Sequence, residues 1–183
     1  MATARKKTMT ASEAAARPAA AERLPLWSRP GYLVRRLHQI HSAMFAEECK
    51  AFAITPVQYG VLTALLHNPG IDQASLGAQV GIDRTNAADV VERLAERRLV
   101  LREKSARDRR MMLARLTAEG EALTRDMHAS MQRAQIRLLE PLPPDDRAVF
   151  LEMLERLVEA NNHYGRSLLR AELGNSGKGR DRG

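Results

Sequence analysis

The sequence has one cysteine, Cys49, and few aromatic residues: one Trp, three Tyr and three Phe among 183 positions. A single cysteine excludes an intrachain disulfide bond. No apolar run approaches the ~20 residues of a membrane-spanning helix, and residues 1–21 lack the apolar stretch of a signal peptide. We therefore expect a cytoplasmic protein without a membrane segment.

The short motifs of common enzyme classes are also missing: the sequence contains no G-x-S-x-G, no Walker A motif and no G-x-G-x-x-G. Three histidines, His38, His41 and His67, lie close in sequence, but no cysteine or carboxylate stands near them at zinc-ligand spacing. We expect a protein that is not an enzyme and holds neither a metal nor a cofactor.

Positive charge is in excess. The chain has 29 Lys and Arg against 22 Asp and Glu, and its net charge is +7. Ten Lys and Arg against five Asp and Glu fall between residues 84 and 115. Such an excess favours a polyanionic partner, a nucleic acid or an anionic membrane surface, although a solvated charged surface needs no partner.

A stretch that begins at Asp83 has the pattern of an amphipathic helix. Asp is a preferred residue at a helix start, and apolar residues follow at three- and four-residue spacing: Ala87, Val90, Val91 and Leu94. The polar face carries side chains that can reach bases or phosphates in a DNA groove: Arg84, Thr85, Asn86, Asp89 and Arg93. We interpret this segment as a DNA-reading helix, with a solvated polar face as the alternative.

Two short strand-like runs, residues 99–101 and 111–113, follow this helix and flank a loop, residues 102–110, that is rich in positive charge. A helix followed by a basic β-hairpin is the layout of a winged helix-turn-helix. Arg107 and Arg109 are the residues of this loop that we expect to contact DNA.

Residues 108–120, DRRMMLARLTAEG, resemble the wing signature of the MarR family of bacterial regulators, D-x-R-x-x-x-L-x-L-T-x-x-G in outline. The segments at 54–59 and 76–80 also fit, and the resemblance covers roughly residues 33–168. Arg98 departs from it, because the family often has Gly before the first wing strand. The resemblance implies that Asp108 orients an arginine of the wing, so that Arg110 is structural as well as DNA-contacting.

Helical patterns complete a mainly α fold with a small β-wing, a MarR-like dimer in which helices form the dimerisation region. We predict helices at 31–51, from Thr55-Pro56 to about 68, from Asp72 to Val80, from Thr117 to 140, and at 145–173. A single domain then spans 24–173, with the winged helix at about 55–116 and dimerisation helices at about 31–52 and 117–173. Residues 1–23 and 174–183 should be disordered tails.

The last predicted helix carries a seam for another helix: Phe150, Leu154, Leu157, Asn161, Tyr164 and Leu168 follow at alternating four- and three-residue steps. Asn161 is a polar residue that can set the register of such a seam. A two-fold homodimer built from the first, fifth and sixth helices would cover these apolar stripes. It would also place two recognition helices one DNA turn apart, ~34 Å, to read a palindromic operator.

A further group suits a small planar aromatic acid: Arg29, His41, Phe45, Tyr59 and Thr63. The guanidinium would bind a carboxylate, the rings would stack, and the hydroxyl and imidazole would bind ring substituents. Core packing is the alternative. Residues 26–59 resemble the repressors of bacterial nicotinate degradation within the MarR family, which implies 6-hydroxynicotinate as the effector.

The sequence thus predicts a repressor that binds its operator as a homodimer and releases it when an aromatic acid binds. Two alternatives stay open. One is a redox-sensing regulator that uses Cys49, although the reactive cysteine of MarR-like peroxide sensors would fall near residue 30. The other is an architectural winged-helix DNA-binding protein without an effector.

Overall fold

The structure is a computed structural model that describes residues 25–106 and 108–165. The described residues up to His41 and those from Ser42 onward form two compact units, and each is described by itself. The elements are α1 Pro30–Glu48, α2 Pro56–His67, β1 Ile71–Asp72, α3 Gln73–Val80, α4 Arg84–Glu96, β2 Val100–Lys104, β3 Met112–Leu116, α5 Ala118–Leu139 and α6 Pro144–Asn161. Among these described helices, none is both long enough and apolar enough to cross a membrane. The predicted tails and Arg107 lie outside the described residues.

The starts of α2, α3, α4 and α5 lie where the sequence predicts them, and each has a side-chain cap, whereas α6 begins at Pro144 without one. Thr55 and Gln58 form a capping box, in which each side chain accepts a hydrogen bond from the other residue's backbone N–H. Asp72 accepts from two backbone N–H groups of α3, Asp83 from one of α4, and Thr117 from one of α5. These bonds satisfy N–H groups that the first turn of a helix leaves unpaired.

The sheet has the order β1–β3–β2 and is antiparallel throughout. The predicted wing strands, 99–101 and 111–113, and the predicted loop, 102–110, are wrong in their bounds. Val100 pairs with Leu116 and Lys104 with Met112, so β2 includes residues 102–104 and the turn shrinks to 105–111. An exposed two-stranded ribbon accommodates charged side chains, so charge alone does not mark where a strand ends.

The core of the second unit is built mainly from α2, α3, α4 and α5. Its buried side chains include Phe45, Cys49, Val61, Leu62, Leu65, Leu76, Val91, Leu94, Val100, Ala114 and Met127. The apolar stripe of α4 therefore faces inward, and its polar face is left towards solvent.

Two helices end earlier than predicted. α1 ends at Glu48 and not near residue 51, because Lys50–Phe52 form a 3₁₀ turn that closes at Ala53 with φ of 50°, which an α-helix cannot continue. α6 ends at Asn161 and not at 173, and a 3₁₀ turn, Asn162–Tyr164, follows it. Leu168 and the remainder of the predicted helix lie outside the described residues.

Helix α6 exposes much of its apolar surface. Val149, Leu151, Met153, Leu157 and Val158 are each between 46% and 59% exposed. The side-chain amide of Asn161, the predicted register residue of the seam, donates to the backbone oxygen of Leu157 at 2.8 Å. The apolar face of α6 is thus left uncovered by the described residues.

Candidate DNA-binding surface and effector residues

The turn between α3 and α4 depends on two glycines. Gly81 ends α3 in the left-handed region, with φ of 75°. A Cβ at Gly77 would lie 2.8 Å from the backbone oxygen of Ile82 and 3.3 Å from the Cβ of Ala87. The close approach of α3 to α4 therefore requires glycine at position 77, which the sequence pattern alone does not indicate.

The predicted DNA-reading side chains of α4 are all exposed: Arg84, Thr85, Asn86, Asp89 and Arg93. Asp83 holds Asn86 twice, since one carboxylate oxygen accepts from its backbone N–H at 2.9 Å and the other from its side-chain amide at 2.7 Å. The amide oxygen and the second amide hydrogen of Asn86 stay available for a base edge. The Asn86 side chain is thus held in place before any DNA is bound.

The wing tip is closed by hydrogen bonds. The backbone N–H of Ser105 donates to the oxygen of Met111 at 2.9 Å, and that of Met111 donates to the oxygen of Asp108 at 2.9 Å. The Asp108 carboxylate accepts from the backbone N–H of Arg110 at 2.9 Å, so this contact is with the main chain of the arginine. The side chains of Arg109 and Arg110 are exposed, and Arg107 lies outside the described residues.

Two charged pairs that the sequence pattern does not single out brace the wing. A guanidinium nitrogen of Arg102 in β2 lies 3.2 Å from the carboxylate of Glu92 in α4. The Arg115 guanidinium lies 3.5 Å from the Glu103 carboxylate across the hairpin. Exposed pairs contribute only about 0–1 kcal/mol to stability, so the first pair chiefly orients the wing relative to α4 and the second links β2 to β3.

Three of the five predicted effector residues come together in the second unit. The ring centroids of Phe45 and Tyr59 are 6.2 Å apart with an interplanar angle of 56°, and Thr63 follows Tyr59 by one turn of α2. The Thr63 hydroxyl oxygen is buried and has no hydrogen-bond partner among the described residues. A buried hydroxyl without a partner is uncommon, because its desolvation is not compensated.

The other two effector residues, Arg29 and His41, lie in the first unit. Arg29 is exposed and follows a 3₁₀ turn, Leu26–Ser28. Partial burial, and to a lesser extent the charge of His38, lowers the pKa of His41 below its ordinary value of 6.5. His41 is therefore a neutral imidazole at pH 7, suited to hydrogen bonding rather than to pairing with an anion.

Cys49 is only 2% exposed. Burial raises the pKa of its thiol, the neighbouring Glu48 carboxylate raises it further, and Arg133 opposes both. A protonated, inaccessible thiol is a poor nucleophile, which argues against redox sensing by this residue. Within residues 25–106 and 108–165, no three His, Cys, Asp or Glu side chains are grouped to hold a metal ion.

An exposed polar helix after a glycine turn, with a cationic β-wing beside it, defines a winged helix-turn-helix protein. A sequence model of the MarR family matches residues 54–111. The PcaV transcriptional regulator of Streptomyces coelicolor, solved in complex with its natural ligand, is 36% identical, with a TM-score of 0.68 over 75% of this chain and 96% of that one. The chain belongs to the MarR family of transcriptional regulators, as its wing signature predicted.

Two further relatives are similar over most of their length. The HTH-type transcriptional repressor NicR of Pseudomonas putida is 27% identical over 135 residues, which cover 74% of this chain and 85% of NicR. BpsR of Bordetella bronchiseptica, whose DNA binding is regulated by 6-hydroxynicotinic acid, is 26% identical, with a TM-score of 0.71 over 74% of this chain and 97% of BpsR. NicR is thus a transcriptional repressor, and BpsR is a protein whose DNA binding is regulated.

Proposed function

We propose that this protein is a homodimeric, sequence-specific repressor that binds a palindromic operator and releases it when a small aromatic acid binds, with 6-hydroxynicotinate as the first effector to test. One observation carries the effector half of this proposal: the hydroxyl of Thr63, which is buried and finds no hydrogen-bond partner among the described residues, lies on the helix that also carries Tyr59, whose ring is tilted against that of Phe45. Regulation of BpsR by 6-hydroxynicotinic acid supports the choice of ligand.

The proposed ligand chemistry follows from the residue types. The partly exposed ring of Tyr59, which packs against the buried Phe45, offers an apolar surface for a planar ring, and the Thr63 hydroxyl would gain a partner that the described residues do not supply. A carboxylate in an apolar site needs a cation, because burying it unpaired costs several kcal/mol. We assign that role to Arg29, since the lowered pKa leaves His41 neutral and suited to a ring substituent.

The proposed DNA contacts follow from the surface of the winged helix. The exposed start of α4 would read bases in the major groove, and the cationic wing tip would contact the backbone or the minor groove. The uncovered apolar face of α6 supports a dimer, because a second copy of the chain would bury it. Sedimentation should show a dimer at micromolar concentration, and a stable folded monomer would contradict this architecture.

The effector site is tested by two variants, each of which removes one of the proposed contacts with the ligand. Thr63→Val keeps the shape of the side chain but removes its hydroxyl, and Arg29→Ala removes the proposed cation. Both should weaken binding of 6-hydroxynicotinate, measured by calorimetry, and reduce its release of DNA. Their affinity for DNA without ligand should stay close to that of the wild type. Arg36→Ala, an exposed arginine of α1, is the matched control for Arg29→Ala. Unchanged ligand titrations in both test variants would place the carboxylate and the ring elsewhere.

The DNA contacts are tested with a duplex that the wild-type protein selects from a random-sequence pool. Arg84→Ala and Asn86→Ala should each lower specific affinity by roughly 1–3 kcal/mol and relax preference at one base position per half-site. Arg109→Ala should weaken specific and non-specific binding alike and reduce the salt slope by about 1. Arg125→Ala, on the exposed surface of α5, is the control. If all three test variants bind like the wild type, the DNA-reading surface lies elsewhere.

A further inference from the structure

The C-terminal end of α4 is hydrogen-bonded to the segment that joins α1 to α2. Arg97 caps α4, and its two terminal guanidinium nitrogens reach back 44 and 45 residues along the chain. Nη1 donates to the backbone oxygen of Ala53 at 2.7 Å, and Nη2 donates to that of Phe52 at 3.2 Å. Bonds from a charged donor are stronger than those between neutral groups, and two from one planar group fix its direction.

The segment that Arg97 binds, residues 49–55, connects α1 to α2. We call it the α1–α2 junction. It contains the 3₁₀ turn Lys50–Phe52, and Ala53 lies in the left-handed region with φ of 50° and ψ of 43°. Residues with a Cβ rarely adopt this conformation, so the junction holds a turn that local preference does not favour. The guanidinium of Arg97 stabilises this turn by binding its carbonyl groups.

The proposed effector residues of the second unit lie on either side of this junction. Phe45 is in the last turn of α1, and Tyr59 is in the first turn of α2. A ligand that pushes these two rings apart beyond what side-chain rotation allows changes the angle between the helices that carry them. The α1–α2 junction is the only covalent link between α1 and α2, so the backbone there has to absorb part of that change.

The residues that follow α4 are also hydrogen-bonded to the start of α5. The hydroxyl of Thr117 at the start of α5 donates to the backbone oxygen of Arg98 at 2.7 Å, and its N–H donates to that of Leu99 at 3.1 Å. The chain after α4 is thus attached to α5 by the hydroxyl and the N–H of Thr117, while Arg97 attaches the end of α4 to the α1–α2 junction. Apart from the shared apolar core, the Arg97 side chain is therefore a direct hydrogen-bonded route from the junction to α4.

We infer that Arg97 is a positioning residue that couples the α1–α2 junction to the recognition helix α4. Its role in ligand response rests on the proposed effector, and its coupling to DNA rests only on the proposed DNA contacts of α4. Because coupling between two sites is reciprocal, DNA bound to α4 must also alter the junction.

Hydrogen exchange with mass spectrometry tests this coupling without any effector. The wild type, Arg97→Gln, Arg97→Lys and Arg98→Gln are compared with and without the selected duplex. Binding of the duplex should change exchange at the backbone amides of Phe52 and Thr55 in the wild type. Arg97→Gln should lose this change while still binding the duplex, and Arg97→Lys should restore part of it. Arg98→Gln is the matched control, because the side chain of Arg98 is exposed, and should behave like the wild type.

The same variants are then titrated with duplex in the presence of 6-hydroxynicotinate. Coupling between sites is typically 5–150-fold in affinity, and it should fall to less than about twofold in Arg97→Gln while the ligand still binds. Junction exchange in Arg97→Gln that responds to duplex as in the wild type would overturn the inference, as would a wild-type junction that does not respond. Failure of the ligand to alter wild-type DNA affinity would refute the proposed effector, while the exchange comparison would still decide the role of Arg97.

Discussion

Gly120 gives the sharpest test of how α5 is fixed to the end of α4. It is the third residue of α5, and its backbone N–H donates to the Thr117 hydroxyl at 2.9 Å. A Cβ added there would overlap the carbonyl oxygen of Leu99 and lie 2.9 Å from its carbonyl carbon and 3.2 Å from its Cα. All three atoms are backbone, so no side-chain rotation can relieve the overlap in Gly120→Ala.

The expected magnitude follows from opposing contributions. Alanine gains up to about 1 kcal/mol of helix propensity over glycine. Overpacking costs about 1–3 kcal/mol. Separation of α5 from Leu99 would also break the two bonds from Thr117 to the backbone oxygens of Arg98 and Leu99, at about 1 kcal/mol each. Gly120→Ala should therefore destabilise the protein by about 2–4 kcal/mol.

Urea denaturation followed by circular dichroism, at one fixed protein concentration, measures this difference. Gly31→Ala is the control, because Gly31 is also helical but a Cβ there meets no atom within 4 Å. The control should be neutral or stabilised by up to about 1 kcal/mol. A denaturation midpoint for Gly120→Ala equal to or above that of the wild type would refute the reasoning.

Three further outcomes are expected. Arg98 has a φ of 60°, in the left-handed region. Arg98→Gly should therefore increase the free energy of unfolding by about 1 kcal/mol and raise the urea midpoint, and a lower midpoint would contradict this. Asp72→Ala should cost about 1 kcal/mol by removing the cap of α3. Burial acts to raise the pKa of Asp72, but hydrogen bonds from Ser75 and Ala74 outweigh it, and the pKa lies below its ordinary value of 3.8. The stability difference between the wild type and Asp72→Ala, measured by denaturation at several pH values, should therefore be complete above pH 4. It should disappear as the pH falls through the lowered pKa. Native Cys49 should react with a thiol reagent far more slowly than the unfolded chain, and rapid labelling that releases DNA would favour the redox alternative instead.

The starts of the helices could be predicted because their signals are local. Thr55 followed by proline, and the capping residues Asp72, Asp83 and Thr117, act within three residues of their own positions. The family could be recognised for the same reason, since the wing signature is contiguous. The polar face of α4 also followed from residue spacing alone.

The features that could not be predicted depend on distant parts of the chain. The bounds of β2 are set by its register with β3, and the two-residue strand β1 exists only because β3 pairs with it. The left-handed turn at Ala53 could not be predicted because it contains no glycine, and Arg97, which donates to its backbone oxygen, is 44 residues away. That the Thr63 hydroxyl is buried without a hydrogen-bond partner in the described part of the chain is likewise a property of the packed structure, not of the residue type.

The double contact between Asp83 and Asn86 has a consequence for anyone who would retarget this regulator to a new operator. Asn86 is the proposed base-reading residue, yet half of the Asp83 carboxylate is engaged by its side chain. Replacing Asn86 to change the base that is read would release one carboxylate oxygen at the start of α4, close to where a phosphate would lie in the proposed complex. Variants at position 86 should therefore lose affinity for DNA of any sequence as well as the preference for the original base. Redesign should treat residues 83 and 86 as one unit and vary them together.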